Sequence, residues 1–131
     1  MPANSTEQEA MAVILVVEDD AFTREIAEMI IHDLHHEILS AADVDEAMAI
    51  LRSNHRIDAL FTDIYLKRDV RGGCEVAELA VKLRPKCRIL YTTGNMLTPS
   101  ITSSFVAGSE FLAKPYTTTQ LEASISHLLS A

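Results

Sequence analysis

The sequence predicts an α/β domain in which one parallel sheet is covered by helices on both faces. Short apolar runs of the kind that form buried strands recur along the chain, and apolar stripes with helical spacing lie between them. Polar residues follow several of these runs directly, at the place where binding sites form in open α/β sheets. Five strands alternating with five helices account for all of these segments.

The predicted strands are short and mostly apolar. Val13–Val17 is a continuous apolar run, which is typical of a strand buried on both faces. The run that begins at Ile57 mixes β-branched and aromatic residues and delivers Asp63 to the end of a strand. The other predicted strands are Glu37–Ala41, Arg88–Thr92 and Glu110–Ala113.

The predicted helices carry apolar stripes that we expect to face the sheet. The first stripe is Phe22, Ile26, Met29 and Ile30, and the fourth is Leu97, Ile101 and Phe105, in a short helix that Gly108 ends. The remaining stripes are Val44–Ala47–Met48–Leu51, Val76–Leu79–Ala80–Leu83 and Leu121–Ile125–Leu128–Leu129. The predicted N-caps are Asp20, Asp43 with Glu46, and Thr117 with Gln120.

Length and composition favour one globular domain that acts on proteins or cations. The chain has 131 residues, 48% of them hydrophobic, and a net charge of −8 that disfavours nucleic acids and anionic membranes. The longest apolar run, Met11–Val17, is too short to cross a bilayer, and Cys74 and Cys87 show neither metal nor disulfide spacing. We therefore expect a cytoplasmic protein with a flexible tail over residues 1–10 and a single domain over 11–131.

Five chemically active side chains follow the predicted strands. Glu18 and Asp19 come after the first strand, Asp63 ends the third, Thr92 ends the fourth and Lys114 follows the fifth. Because the carboxyl ends of parallel strands share one edge of a sheet, these side chains are expected to meet there. Burying the Asp63 carboxylate costs several kcal/mol unless a cation pairs with it, so Lys114 is its expected partner.

Three carboxylates at one place repel each other and favour a bound divalent cation. An all-oxygen ligand set without His or Cys favours Mg²⁺, or Mn²⁺, over zinc. Mg²⁺ in such sites typically shares a phosphoryl oxygen with its protein ligands. Lys114 and Thr92 are then suited to hold the other phosphoryl oxygens, and Asp63 is the candidate nucleophile that forms an acyl phosphate.

Residues 11–131 resemble the receiver domain of bacterial two-component response regulators, in particular the stand-alone chemotaxis-regulator type. The resemblance is carried by Val-Val-Glu18-Asp19 followed by Arg24, by Asp63, by Thr92 and by Lys114-Pro115. It implies a flavodoxin-like fold with strand order 2-1-3-4-5 and a cis peptide before Pro115. It also implies phosphoryl transfer to Asp63 from a histidine kinase or histidine phosphotransfer protein, and signalling to a downstream protein not identified by the sequence.

The same resemblance implies roles for three further positions. The backbone carbonyl of Tyr65 would be the remaining protein ligand of the metal. Thr92 and Phe111 would form the switch, because Thr92 moves toward the phosphoryl oxygens and the aromatic ring enters the vacated space. The readout face would be the fourth helix, fifth strand and fifth helix. Lys67 departs from the pattern, since relatives often have Pro four residues after the phosphorylated Asp.

Two alternatives remain open on the residues alone. A small haloacid-dehalogenase-like phosphatase also uses an Asp nucleophile and Mg²⁺, but its Asp-x-Asp pattern after the first strand is here Glu18-Asp19-Asp20. A receiver-like module that works by protein contact without phosphorylation would not require the complete set of acids, Thr92 and Lys114.

Overall fold

A computed structural model describes residues 11–67 and 69–130 and contains one sheet of five parallel strands. The strand order is β2-β1-β3-β4-β5, so the predicted fold class and topology are confirmed. The predicted tail over residues 1–10 lies outside the described residues. The strands are β1 Val13–Val17, β2 Glu37–Ala41, β3 Ala59–Asp63, β4 Arg88–Thr93 and β5 Glu110–Ala113.

Helices connect the strands, and most of the predicted caps are present. Asp20 accepts a hydrogen bond from the Thr23 N–H, and Thr117 and Gln120 form a reciprocal capping box. Asp43 caps its helix at the Glu46 N–H, but the Glu46 carboxylate accepts from Ala42, one residue before the predicted donor. The helices are α1 Ala21–Asp33, α2 Val44–Leu51, α3 Gly72–Leu83, α4 Pro99–Thr102 and α5 Thr118–Ser130.

The core has two halves, one on each face of the sheet. Ile14 and Val16 of β1 pack toward α1 and α5, while Leu15 and Val17 pack toward α2 and α3. All residues of β1 and β3 are buried, because helices cover both faces of these central strands. No helix in the described ranges is long and apolar enough to span a bilayer.

The predicted buried stripe of α1 is wrong at three of its four positions. Phe22 is 73% exposed, Met29 65% and Ile26 40%, and only Ile30 faces the core. The residues that α1 buries are Ala27, Ile30 and Ile31. The helix carries two overlapping apolar stripes, and the one that includes Ala27 and Ile31 packs into the core. Phe22 and Ile26 are left on the surface next to the edge where the strands end.

The predicted helix after β4 is shorter than its apolar spacing suggests. It is capped by Thr98 and begins at Pro99, but it ends at Thr102, well before Gly108. The hydroxyls of Ser103 and Ser104 donate to the Ser100 carbonyl, and such local bonds compete with helix propagation. Gly108 instead occupies a turn with φ of +79°.

Candidate functional site

The structure brings Glu18, Asp19 and Asp63 together at the carboxyl edge of the sheet. Glu18 follows β1 directly and Asp63 is the last residue of β3, the neighbouring strand. One carboxylate oxygen from each of the three acids lies within 4.8 Å of the others. Glu18 and Asp63 are buried, while Asp19 is partly exposed. Closely spaced carboxylate oxygens without nitrogen or sulfur are ligands that suit Mg²⁺ or Mn²⁺.

Lys114 supplies the cation that a buried Asp63 requires. Its Nζ lies 2.8 Å from Asp63 Oδ2 and 2.6 Å from Glu18 Oε1, so one ammonium bridges two buried carboxylates. Lys114 follows β5, and the Lys114–Pro115 peptide is cis, as the resemblance implies. Three ionised carboxylates and one ammonium carry a net charge of −2, which a divalent cation would neutralise.

The pKa shifts follow from this shared burial. Burial raises the pKa of the Glu18 carboxyl, although hydrogen bonds from Lys114 and from the Asp20 N–H partly oppose the rise. Burial alone would lower the pKa of the Lys114 ammonium, but its hydrogen bonds to Asp63 and Glu18 outweigh burial and leave that pKa raised. Lys114 therefore stays charged at neutral pH and keeps its ion pairs.

Backbone N–H groups orient all three carboxylates. The donors and distances are Asp20 N to Glu18 Oε2 at 3.1 Å, Lys67 N to Asp19 Oδ2 at 2.8 Å, and Tyr65 N to Asp63 Oδ1 at 3.3 Å. The Arg24 guanidinium donates to the Glu18 carbonyl at 2.7 Å and so fixes the loop after β1. Sequence reasoning missed these backbone contacts, because a residue's side chain does not reveal where its N–H points.

Thr92 is next to Asp63 but does not contact it through its hydroxyl. The two residues are paired in register on β3 and β4, and Thr92 is 2% exposed. Its Oγ1 donates to the Leu112 carbonyl of β5 at 2.6 Å. The hydroxyl must therefore leave β5 before it can bind a group on Asp63.

The predicted switch residue Phe111 is partly buried and belongs to an aromatic row. Its ring centroid is 6.4 Å from that of Phe105, which stacks on Tyr91 at 4.2 Å with an interplanar angle of 16°. Tyr91 is fully buried, and its hydroxyl accepts a hydrogen bond from the Val106 N–H. Phe111 on β5 is thus linked through Phe105 to the segment after α4. The role of the Tyr65 carbonyl stays a prediction.

Comparison with known proteins identifies the family of this fold and site. The family model for the response regulator receiver domain matches residues 14–126. The chain belongs to the response regulator receiver domain family. A receiver protein from Sinorhizobium medicae WSM419 superposes on this receiver domain with a TM-score of 0.84 and 29% identity, over 92% of this chain and 96% of that one. A CheY-like receiver domain from Methanospirillum hungatei JF-1 gives a TM-score of 0.82 and 27% identity, over 92% and 94% of the two chains.

Curated relatives are longer than this receiver domain. A probable transcriptional regulator, ycf27, of Porphyridium aerugineum is 28% identical over 119 residues. That match covers 88% of this chain but 47% of the relative. The chain therefore spans about half the length of the curated relative, and the similarity concerns the receiver region.

Proposed function

We propose that this receiver domain is a Mg²⁺-dependent phosphoacceptor switch in a two-component pathway. It receives a phosphoryl group on Asp63 from a histidine kinase or histidine phosphotransfer protein, and it signals in the cytoplasm by contact with a further protein. The observation that carries the proposal is the cluster at the carboxyl edge of the sheet. Lys114 bridges Glu18 and Asp63 there, and Asp19 lies close enough to both acids to share a metal ion with them.

The residues of the cluster would bind the metal ion, accept the phosphoryl group or compensate its charge. Glu18, Asp19, Asp63 and the Tyr65 carbonyl would hold Mg²⁺, with Mn²⁺ as a substitute. When bound there, such an ion would supply positive charge to offset that on the transferring phosphoryl group. An Asp63 carboxylate oxygen attacks phosphorus while the P–N bond of the donor phosphohistidine breaks, and the bonding electron pair leaves with the imidazole. The Lys114 ammonium pairs with a phosphoryl oxygen and keeps the new charge compensated.

Phosphorylation would be converted into a change of surface through Thr92. Its hydroxyl would exchange the Leu112 carbonyl for a phosphoryl oxygen, which frees space beside β5. Phe111 fills that space as an apolar ring without a hydrogen-bonding group, and its withdrawal changes its contact with Phe105. The readout face is therefore proposed to be α4, β5 and α5, where a few kcal/mol separate two side-chain arrangements.

Intact mass spectrometry after incubation with acetyl phosphate and Mg²⁺ tests the proposal. The protein should gain the mass of one phosphoryl group, and EDTA should prevent the gain because the acid cluster then lacks its cation. If the protein stays unmodified in the presence of acetyl phosphate and Mg²⁺, the alternative of a receiver-like module that works by protein contact without phosphorylation would be favoured. Repeated turnover of a phosphate ester would favour the phosphatase.

An exposed apolar face next to the cluster supports a protein donor. Phe22, Ile26, Pro115 and Tyr116 line a cavity of about 460 Å³ that also includes Lys114. Apolar surface of this kind, bordering charged catalytic groups, suits a protein partner better than a small charged molecule. We name these four residues the α1 face.

Phe22→Ala is expected to slow phosphoryl transfer from a phosphorylated histidine kinase about tenfold, because it removes a large contact from the α1 face. Uptake from acetyl phosphate should stay unchanged, since the small donor does not need this face. Leu83→Ala is the matched control, because Leu83 is exposed but lies at the end of α3, at the opposite edge of the sheet. Rapid-quench transfer assays against a panel of purified kinases give the rates. Equal slowing by both variants, or with both donors, would contradict the assigned docking surface.

A further inference from the structure

The turn between β3 and α3 has an unusual backbone conformation at Lys67. Leu66 and Asp69 exchange both backbone hydrogen bonds, at 3.0 Å and 2.7 Å, so the chain turns back on itself between them. Lys67 has φ of +39°, in the left-handed region that residues with a Cβ rarely adopt. Such a conformation costs on the order of 1 kcal/mol and persists where surrounding contacts favour it.

The contact that accompanies this conformation is with the acid cluster. The Lys67 N–H donates to Asp19 Oδ2 at 2.8 Å across 48 residues of sequence. Glu18 and Asp63 are also held by Lys114, whereas Asp19 forms no ion pair with any residue that the structure describes. Across residues 11–67 and 69–130, the Lys67 N–H is the only hydrogen-bond donor to the Asp19 carboxylate. The orientation of this partly exposed acid therefore depends on one backbone group.

We propose that Lys67 is a positioning residue whose N–H holds Asp19 ready for the metal ion. The proposal rests on the proposed function, in which Asp19 is a ligand of Mg²⁺. A hydrogen bond to one carboxylate oxygen restricts the rotation of the side chain and leaves the other oxygen for the cation. Removing a group that orients a metal ligand in this way typically weakens metal binding about 10–100-fold.

The lysine side chain is not needed for this task, so the backbone group can be tested separately. Lys67→Ala and Lys67→Pro both remove the positive charge, but only Pro removes the N–H. Lys67→Gly keeps the N–H and adopts positive φ without steric cost. Isothermal titration with MgCl₂ should give dissociation constants for Lys67→Ala and Lys67→Gly within about threefold of wild type, and about tenfold weaker binding for Lys67→Pro than for Lys67→Ala.

Because Pro also disfavours the left-handed conformation, a second measurement tests the contact without changing the turn. Residue-resolved hydrogen exchange without metal should show a slow Lys67 amide in wild type and a faster one in Asp19→Ala. The Leu66 amide, which donates to Asp69, should exchange equally in both proteins and is the internal control. In wild type, the Lys67 amide should remain slow after Mg²⁺ is added.

The outcomes separate this inference from the function on which it rests. Wild-type protein that binds no Mg²⁺ would contradict the proposed function. Wild-type protein that binds Mg²⁺, together with equal affinities for Lys67→Pro and Lys67→Ala, would overturn the role of Lys67 alone. A Lys67 amide that exchanges at the same rate with and without the Asp19 carboxylate would overturn it as well.

Discussion

Asp63→Asn is expected to abolish phosphoryl uptake while leaving the domain folded. An amide is a far weaker nucleophile than a carboxylate, so no acyl phosphate forms at this position. The amide oxygen can still accept the Tyr65 N–H, and Lys114 keeps its ion pair with Glu18. The measurement is intact mass after incubation with Mg²⁺ and acetyl phosphate, with circular dichroism to confirm the fold.

The same substitution should not lower stability in the absence of metal. Asp63 contributes a like charge that raises the pKa of Glu18, and its removal reduces the net charge of the cluster from −2 to −1. Sites arranged for function are often destabilising, so we expect the free energy of unfolding to be equal or higher by about 1 kcal/mol in EDTA. Urea titration measures this difference.

Asp45→Asn is the matched control for Asp63→Asn. Asp45 is an exposed acid in the first turn of α2 and lines a cavity together with Asp19 and Lys67. Its neutralisation removes the same charge near the cluster but leaves in place the two groups that donate to the Asp63 carboxylate, the Tyr65 N–H and the Lys114 ammonium. This variant should gain one phosphoryl group as wild type does. A phosphoryl gain in Asp63→Asn, or its loss in Asp45→Asn, would place the acceptor elsewhere.

The sheet and the convergence of the site were predictable because both depend on strongly patterned segments. Val13–Val17 is apolar throughout, since helices cover both faces of β1, and its bounds were predicted without error. In a parallel sheet, polar residues directly after such runs all lie at the edge where the carboxyl ends of the strands meet. The pairing of Asp63 with Lys114 followed from the cost of burying an unpaired anion.

What could not be predicted depends on directions that side-chain identity does not encode. In α1, two overlapping apolar stripes satisfy the helical period, so the period alone does not show that Ala27 and Ile31 are buried and Phe22 is exposed. The N–H of Lys67 donates to Asp19 in a turn where the Lys67 backbone is left-handed, and a lysine in the sequence predicts neither feature. The sequence does not show whether the Thr92 hydroxyl faces Asp63 or β5. In the structure it donates a hydrogen bond to the Leu112 carbonyl of β5.

The close contact at Gly73 is another feature that residue identity does not predict, and replacing this glycine has a large expected effect. It lies in the first turn of α3, and its N–H donates to the Ile64 carbonyl at 2.9 Å. A Cβ at this position would lie 2.0 Å from the Asp63 carbonyl oxygen and 2.8 Å from the Ile64 Cα. Both obstacles are backbone, so only movement of the chain that carries the nucleophile can relieve the clash.

Gly73→Ala should therefore destabilise the domain by about 3 kcal/mol or more, the upper range for inserting atoms into a packed site. Helix propensity alone predicts the opposite sign, because Ala is favoured over Gly by about 1 kcal/mol inside a helix. Gly94→Ala is the control, since its Cβ would have Lys114 Cβ as nearest neighbour at 3.7 Å, an ordinary contact. We expect that variant to stay within about 0.5 kcal/mol of wild type.

Urea unfolding of both variants decides between close packing and propensity as the reason for a glycine at position 73. In Gly73→Ala, the displaced Asp63 backbone should also weaken Mg²⁺ binding, measured by calorimetry at a temperature where the variant is folded. If Gly73→Ala were as stable as Gly94→Ala and bound Mg²⁺ as tightly, the approach of α3 to the end of β3 would be looser than described. Asp63 would then owe its position to Lys114 and the Tyr65 N–H rather than to this helix.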